Sequence, residues 1–174
     1  MMNVQIGARR FANRAAAGDA LADALMYYRG ADLLVLGLPR GGVPVAARVA
    51  EALHAELDVI VARKLGSPGT RPAPRVAGRI VILVDDGLAT GATMHAAARA
   101  VRKQHPARLI VAAPVGSHEA CEGLAADADE VICPWRPEPF GAVGTYYQDF
   151  AQTTDEDVRH VLQHSPAMRS VEPW

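Results

Sequence analysis

The residues best suited to chemistry in this 174-residue chain form one run, Asp85-Asp86-Gly87-Leu88-Ala89-Thr90-Gly91-Ala92-Thr93. Its glycines let backbone N–H groups converge, its threonine hydroxyls add donors, and a helix starting just beyond it would contribute the positive end of its dipole. Such a run is a phosphate cradle. The two carboxylates at its mouth suit ribose hydroxyls or a magnesium shell better than they suit phosphate. Taken singly, a DDG after an apolar run also reads as a plain turn, with Thr90 capping the next helix. A second glycine turn, Leu38-Pro39-Arg40-Gly41-Gly42, joins bare backbone to one basic side chain, and alone it reads equally as a Pro-Gly turn entering a helix. Arg63-Lys64, by itself, is a solvated basic pair.

The segments around these residues alternate in period. Leu33 to Gly37, Leu57 to Ala62, Ile80 to Val84, Leu109 to Ala113 and Glu130 to Cys133 are short apolar runs that predict five strands. Between them, helical spacing is expected over Phe11–Tyr28, Val43–Leu53, an Ala-rich stretch ending near Gln104, and Glu119–Ala126 with Ser117 as cap. A last helix, Asp155–Gln163, is expected to start at a Thr153-x-x-Glu156 capping box. Strands alternating with helices predict an α/β fold of three layers: a mainly parallel five-stranded sheet with helices on both faces. In such a sheet ligands gather at the carboxyl ends of the strands, where both glycine turns fall. Gly66–Arg79, rich in Pro, Gly and Arg, reads as a mobile loop, and Ser165–Trp174 as a frayed tail. Neither an internal repeat nor a linker divides the chain, so a single domain over 1–174 is expected.

Composition narrows the function classes. Residues of the AVILMFWYC set make up 50% and charged residues 21%, which is incompatible with wholesale disorder. Eighteen Lys and Arg against nineteen Asp and Glu leave a formal charge of −1, so nucleic acid is not an expected partner and any anion site must be local. Cys121 and Cys133, the only two cysteines, match neither a zinc cluster nor a CxxC pair, and a reducing cytoplasm is the expected location. Arg9, Arg10 and Arg14 are not followed by a secretory apolar stretch, and no apolar run approaches the ~20 residues of a membrane span. His54, His95, His105, His118, His160 and His164 lack metal-ligand spacing; only His95, just past the phosphate cradle, merits attention. Walker, GxGxxG and GxSxG motifs are absent.

The run VILVDDGLATGAT, residues 81–93, closely resembles the signature of type I phosphoribosyltransferases. That resemblance assigns the ribose 2- and 3-hydroxyls of phosphoribosyl pyrophosphate (PRPP) to Asp85 and Asp86, and its 5-phosphate to Ala89, Thr90, Gly91, Ala92 and Thr93. It makes Arg40, Gly41 and Gly42 the pyrophosphate loop, with a cis peptide falling at Pro39-Arg40. Arg63 and Lys64 resemble the basic pair from which the family's mobile catalytic loop departs. The segment Pro137–Gly144, with Tyr147 and Phe150, resembles the base-binding stretch of the purine enzymes; Phe140 would stack on the base and Val143 would line its site, whereas Trp135 reads as a packing aromatic. FANRAAAGDALADAL, LPRGGVPVAARVAEAL and DVIVARKLGSPG look most like a set of bacterial predicted phosphoribosyltransferases.

The activity implied is transfer of a phosphoribosyl group from PRPP to a nitrogenous base, with release of pyrophosphate. Magnesium would arrive on PRPP, with no dedicated protein cage, and homodimers are common in the family. Two departures stand out. Only twenty residues separate Lys64 from Asp85, so the lid and the hood over the base are shortened. Gly66–Arg79 is then either a minimal lid, with Arg71, Arg75 and Arg79 near pyrophosphate, or a trimmed surface connection. A chain without a lid could also be a non-catalytic module of the same fold that binds PRPP or a nucleotide. Second, Ala89 stands where enzymes acting on 6-oxopurines carry an aspartate, so their base chemistry does not transfer.

Overall fold

The computed structural model describes residues 10–60 and 74–165. Along the chain the elements run α1 (Arg14–Leu25), a short 3-10 turn (Met26–Tyr28), β1 (Leu33–Gly37), α2 (Gly42–Leu53), β2 (Glu56–Val59), β3 (Ile80–Val84), α3 (Ala92–Arg102), β4 (Arg108–Ala112), α4 (His118–Leu124), β5 (Glu130–Ile132), a second 3-10 turn (Val143–Tyr146) and α5 (Asp155–His164). The five strands form one sheet in the order β2-β1-β3-β4-β5, every neighbouring pair parallel. β1 and β3, which carry the two glycine turns, lie side by side, with Gly37 opposite Val84.

Because β1 and β3 are apolar at every position and β4 is apolar after Arg108, they can be covered on both sides. Val35, Ile82, Val84 and Ile110 pack with Leu21 and Leu25 of α1 and Val45, Val49 and Leu53 of α2. The alternate strand residues Leu34, Leu36, Leu83 and Val111 pack with Met94, Ala98 and Val101 of α3 and with Leu124 of α4. This is the predicted three-layer arrangement. A third cluster, beyond the carboxyl ends, gathers Ala17, Val115, Tyr146 and Tyr147 with Phe11, Trp135, Phe140 and Val143. Trp135 meets Phe11 and Tyr146 edge-on at 5.7 and 5.0 Å, the packing role expected of it.

Several boundaries move, each for a local reason. α1 starts at Arg14 because the Asn13 side chain accepts from Ala16 N at 2.8 Å and ends the extended segment there. The capping box of α5 is Thr154 with Asp157 rather than Thr153 with Glu156: each side chain bonds the other residue's N–H, at 3.0 and 2.8 Å. β2 stops at Val59, short of the predicted Ala62; positions 61 and 62 lie outside the described residues.

The Arg75 and Arg79 positions overturn the minimal-lid expectation for that end of the loop. A parallel strand must restart at the sheet's amino edge, so the segment before β3 is carried away from the glycine turns. Arg79 is buried there, donating from Nε to Asp32 (3.0 Å), from Nη1 to Glu56 (2.7 Å) and the Arg75 carbonyl (3.1 Å), and from Nη2 to the Leu33 carbonyl (3.0 Å). Arg75 also pairs with Asp32, at 3.4 Å. Arg71, and the expected basic pair Arg63-Lys64, lie outside the described residues, as does most of the expected tail.

Candidate active site

Leaving β3, the chain turns at Asp85 and Asp86 and is held from behind. Asp85 N–H donates to Ala112 O (3.3 Å), Leu88 N–H to Val115 O (3.0 Å), and Ser117 Oγ to Ala89 O (2.8 Å). Ser117 also caps α4 by accepting from Ala120 N, so one hydroxyl serves the helix and the loop after β3 together; sequence reading found only the cap. Beyond Ala89 the backbone opens. Among the described residues the N–H groups of Ala89, Thr90, Gly91 and Thr93 donate to no protein acceptor, while that of Ala92 has a long 3.4 Å bond to Thr90 Oγ1. Gly91 caps α3 without a side chain, so its first turn leaves donors for an anion. Gly91 has φ +78°, and a Cβ there would meet nothing closer than 3.5 Å. The need for glycine is conformational rather than one of space.

The second glycine turn presses on the carboxylates. Its Pro39-Arg40 peptide is cis, as the resemblance implied. A Cβ on Gly41 would lie 2.2 Å from Asp86 Oδ2, and one on Gly42 would lie 2.7 Å from Val84 O and 3.0 Å from Asp85 Cα. The absence of side chains at 41 and 42 is what lets the two turns touch. Gly42 N–H is spent on Leu38 O at 2.9 Å, so among the described amides of this turn only those of Arg40 and Gly41 remain to meet a ligand. Arg40 reaches outward, 3.7 Å from Asp155 on α5.

Asp85 and Asp86 are half-buried and differ in their partners. Asp85 Oδ1 accepts from Asp86 N (2.8 Å). Burial, then the neighbouring Asp86 charge, pushes the Asp85 carboxyl up to about 8. Asp86 Oδ2 is bound by Arg14 Nε at 3.1 Å, a residue that sequence reading placed only in an N-terminal basic set. Tyr147, which the resemblance grouped with the base-binding stretch, instead donates its hydroxyl to Asp86 O (2.6 Å); burial and the nearby Asp86 and Asp85 charges raise its pKa and keep it protonated.

An open cleft of ≈ 640 Å³ runs from Ala89 and Thr90 past Ser117, His118 and Glu119 to Pro137–Gly141. Phe140 lines it, half-buried and tilted on Tyr146 with centroids 5.0 Å apart. His118 Nε2 lies 4.0 Å from Glu138 Oε1 on the cleft wall. Val143 sits apart, its methyls over Gly87, where an added Cβ would come within 2.5 Å of them. It packs on the turn at Asp85-Asp86-Gly87 rather than lining the cleft. His95 turns its Nδ1 to Asp127 and its Nε2 toward Gly123, tying α3 to α4. Among the described residues no three His, Cys, Asp or Glu side chains converge as metal ligands, and no helix is long and apolar enough to cross a membrane.

Comparison with known proteins gives a consistent result. The family model for the phosphoribosyl transferase domain matches residues 9–149. The crystal structure of TT1426 from Thermus thermophilus is 39% identical, covers 90% of this chain and 99% of its own, and superposes with a TM-score of 0.81. A Corynebacterium diphtheriae phosphoribosyltransferase structure is 27% identical with a TM-score of 0.55, over 74% of this chain and 82% of its own. A Mycobacterium tuberculosis protein named "Putative phosphoribosyl transferase" is 36% identical over 85% of this chain, which spans 45% of that relative's length.

Proposed function

The chain belongs to the phosphoribosyl transferase family, and from that premise we propose that it transfers the 5-phosphoribosyl group of PRPP to a nitrogen of a nitrogenous base, releasing pyrophosphate. The observation that carries this reading is the set of unspent N–H groups at Ala89, Thr90, Gly91 and Thr93, next to two carboxylates that a glycine turn overlies. A bound 5-phosphate would take those donors, and Asp85 and Asp86 would accept from the ribose hydroxyls. Pyrophosphate would then lie toward Arg40 and the free amides of Arg40 and Gly41, with Arg63 and Lys64 as further cations.

In the transfer, the bond from the anomeric carbon to a pyrophosphate oxygen breaks as the acceptor nitrogen bonds to that carbon. Positive charge develops on the sugar and negative charge on the leaving group. The chain's part is to hold the ribose in line and to meet the leaving charge with donors already in place. No protein nucleophile is needed. Magnesium would enter as the counter-ion of PRPP, held by phosphate oxygens and water, as a hard cation prefers.

The acceptor would occupy the cleft, with one face on Phe140. The described lining offers Glu119, Glu138 and His118 and no Lys or Arg, which favours an acceptor bearing N–H donors over one bearing a carboxylate. The test is titration with PRPP and magnesium, followed by pyrophosphate release across a panel of amino-substituted, oxo-substituted and carboxylated bases. Base-dependent release, with the carboxylated bases poorest, is the expected result. Binding without release from any base would make this a PRPP-sensing module, and absence of PRPP binding would remove the assignment altogether.

A further inference from the structure

Arg14 is the first residue of α1, and its side chain is only 12% exposed. Its guanidinium is engaged through Nε, through Nη1 and through its face. Nε donates to Asp86 Oδ2 (3.1 Å), Nη1 donates to Ala151 O (2.6 Å), and the Cζ lies 4.1 Å from the centre of the Phe150 ring. The point a Gly41 Cβ would take is 3.2 Å from Arg14 Nε and 2.2 Å from Asp86 Oδ2. Four separate segments therefore meet at one side chain: the start of α1, the ribose turn, the overlying glycine turn, and the strap from Tyr147 to Ala151.

An exposed Arg–Asp pair contributes little, but the Asp86 side chain is only 15% exposed, and a carboxylate so far withdrawn from water is costly without its partner. Asp86 commits Oδ2 to Arg14, and the neighbouring Asp85 carboxyl lies within hydrogen-bonding reach of its side chain. We propose that Arg14 is a positioning residue for phosphoribosyl transfer: by fixing Oδ2 it aims Oδ1 at a ribose hydroxyl, and through Ala151 and Phe150 it anchors that aim to the strap. The inference rests on the function proposed above. Its energetic content is preorganisation, because the carboxylate's rotation is already restricted before PRPP arrives.

The test compares Arg14→Lys and Phe150→Ala with the unaltered chain in titrations against PRPP with magnesium and, separately, inorganic pyrophosphate with magnesium. Lysine keeps a charge beside Asp86 but loses the bond to Ala151 and the fit on the ring. PRPP affinity is expected to fall about tenfold in Arg14→Lys and about threefold in Phe150→Ala, with pyrophosphate affinity and melting temperature nearly unchanged. In an Asp86→Asn background, Arg14→Lys should cost little more, because its role runs through that carboxylate. Phe150 is 37% exposed, so its variant keeps the test alive if Arg14→Lys does not fold. Unchanged PRPP affinity in the folded variants, a parallel loss of pyrophosphate affinity, or full additivity with Asp86→Asn would each overturn the role given to Arg14 alone. Failure of the unaltered chain to bind PRPP would overturn the functional assignment, and this role with it.

Discussion

At the amino ends of the strands, Arg79 divides its donors among Asp32, Glu56 and the carbonyls of Arg75 and Leu33, while at the carboxyl ends a row of amides has no acceptor among the described residues. The carboxyl groups respond accordingly. A bond from Leu109 N–H, against some burial, and the Arg102 guanidinium hold Asp129 below the usual carboxylate range. Glu130, despite its burial, is held low by Tyr27, Tyr28 and Arg108. Asp85, at the other end, is driven up. Polar groups at the amino edge are thus consumed in fastening parallel strands together, and amides at the carboxyl edge are left open for a ligand. Unspent hydrogen-bonding capacity, more than charge itself, separates the candidate site from the clamp.

The sharpest way to break that comparison is at Arg79. Arg79→Met keeps much of the volume but strands Asp32 and Glu56, and should cost about 3 kcal/mol, lowering the melting temperature by about 6–12 °C. PRPP affinity of the folded protein should stay within about twofold, since the change lies at the far edge of the sheet. Calorimetry and titration on one preparation read both; a large loss of PRPP affinity would mean the two ends are coupled.

Gly41→Ala should do the reverse. The new methyl collides with Asp86 Oδ2, the end of a side chain that can rotate away, so the fold survives while the carboxylate leaves Arg14. PRPP affinity is expected to drop about 100-fold, with a smaller loss of melting temperature than Gly42→Ala because the parted Asp86 can turn toward water. Gly42→Ala sharpens the contrast, because its methyl meets the Val84 carbonyl and Asp85 Cα, which cannot rotate away, and stability falls as well, by about 1–3 kcal/mol. A melting temperature as low for Gly41→Ala as for Gly42→Ala would contradict the assignment of one contact to binding and the other to folding.

Asp85→Asn tests whether the candidate site is held at a cost in stability. The folded chain keeps a proton on Asp85 up to about pH 8, whereas an unfolded carboxyl releases it near its ordinary value of 3.8. Between those values the folded state binds more protons, so this group makes stability fall as pH rises from 4 toward 8, with no further change above. Asparagine can still accept from Asp86 N and has nothing to ionise. Its advantage should be small near pH 4 and grow as pH rises to 8, raising the melting temperature of the variant above that of the unaltered chain. A pH-independent difference would show that Asp85 is not held protonated.

Much of this was legible from local pattern. The strand runs announce themselves because buried strands are apolar at every position, and the two glycine turns announce themselves because close backbone approach admits no side chain. What could not be read was set by chain return and by long-range partners. Arg75 and Arg79 follow a basic, glycine-rich stretch and invite a role at pyrophosphate, yet the geometry of a parallel crossover carries them to the opposite edge. Arg14 lies 72 residues from the carboxylate it holds, and Ser117 Oγ reaches 28 residues back to the Ala89 carbonyl. Nothing in the local sequence distinguishes those side chains from a surface arginine or a simple helix cap.

The smallest expected effect probes the open side of the carboxyl edge. Phe140 tilts on Tyr146 and lines the cleft without being bonded to the turns after β1 and β3. If it supplies a stacking face for the acceptor, Phe140→Ala should raise the acceptor KM about 5–10-fold, the lower end of what base–aromatic stacking contributes, and leave PRPP affinity unchanged. Phe140→Tyr, which keeps the ring, should restore most of the loss. Steady-state rates at saturating PRPP, with titration as the control, separate the two substrates. Equal losses for PRPP and acceptor would mean that the cleft wall and the phosphate cradle move as one unit, and the division of the carboxyl edge into a preset phosphate half and an adaptable acceptor half would have to be given up.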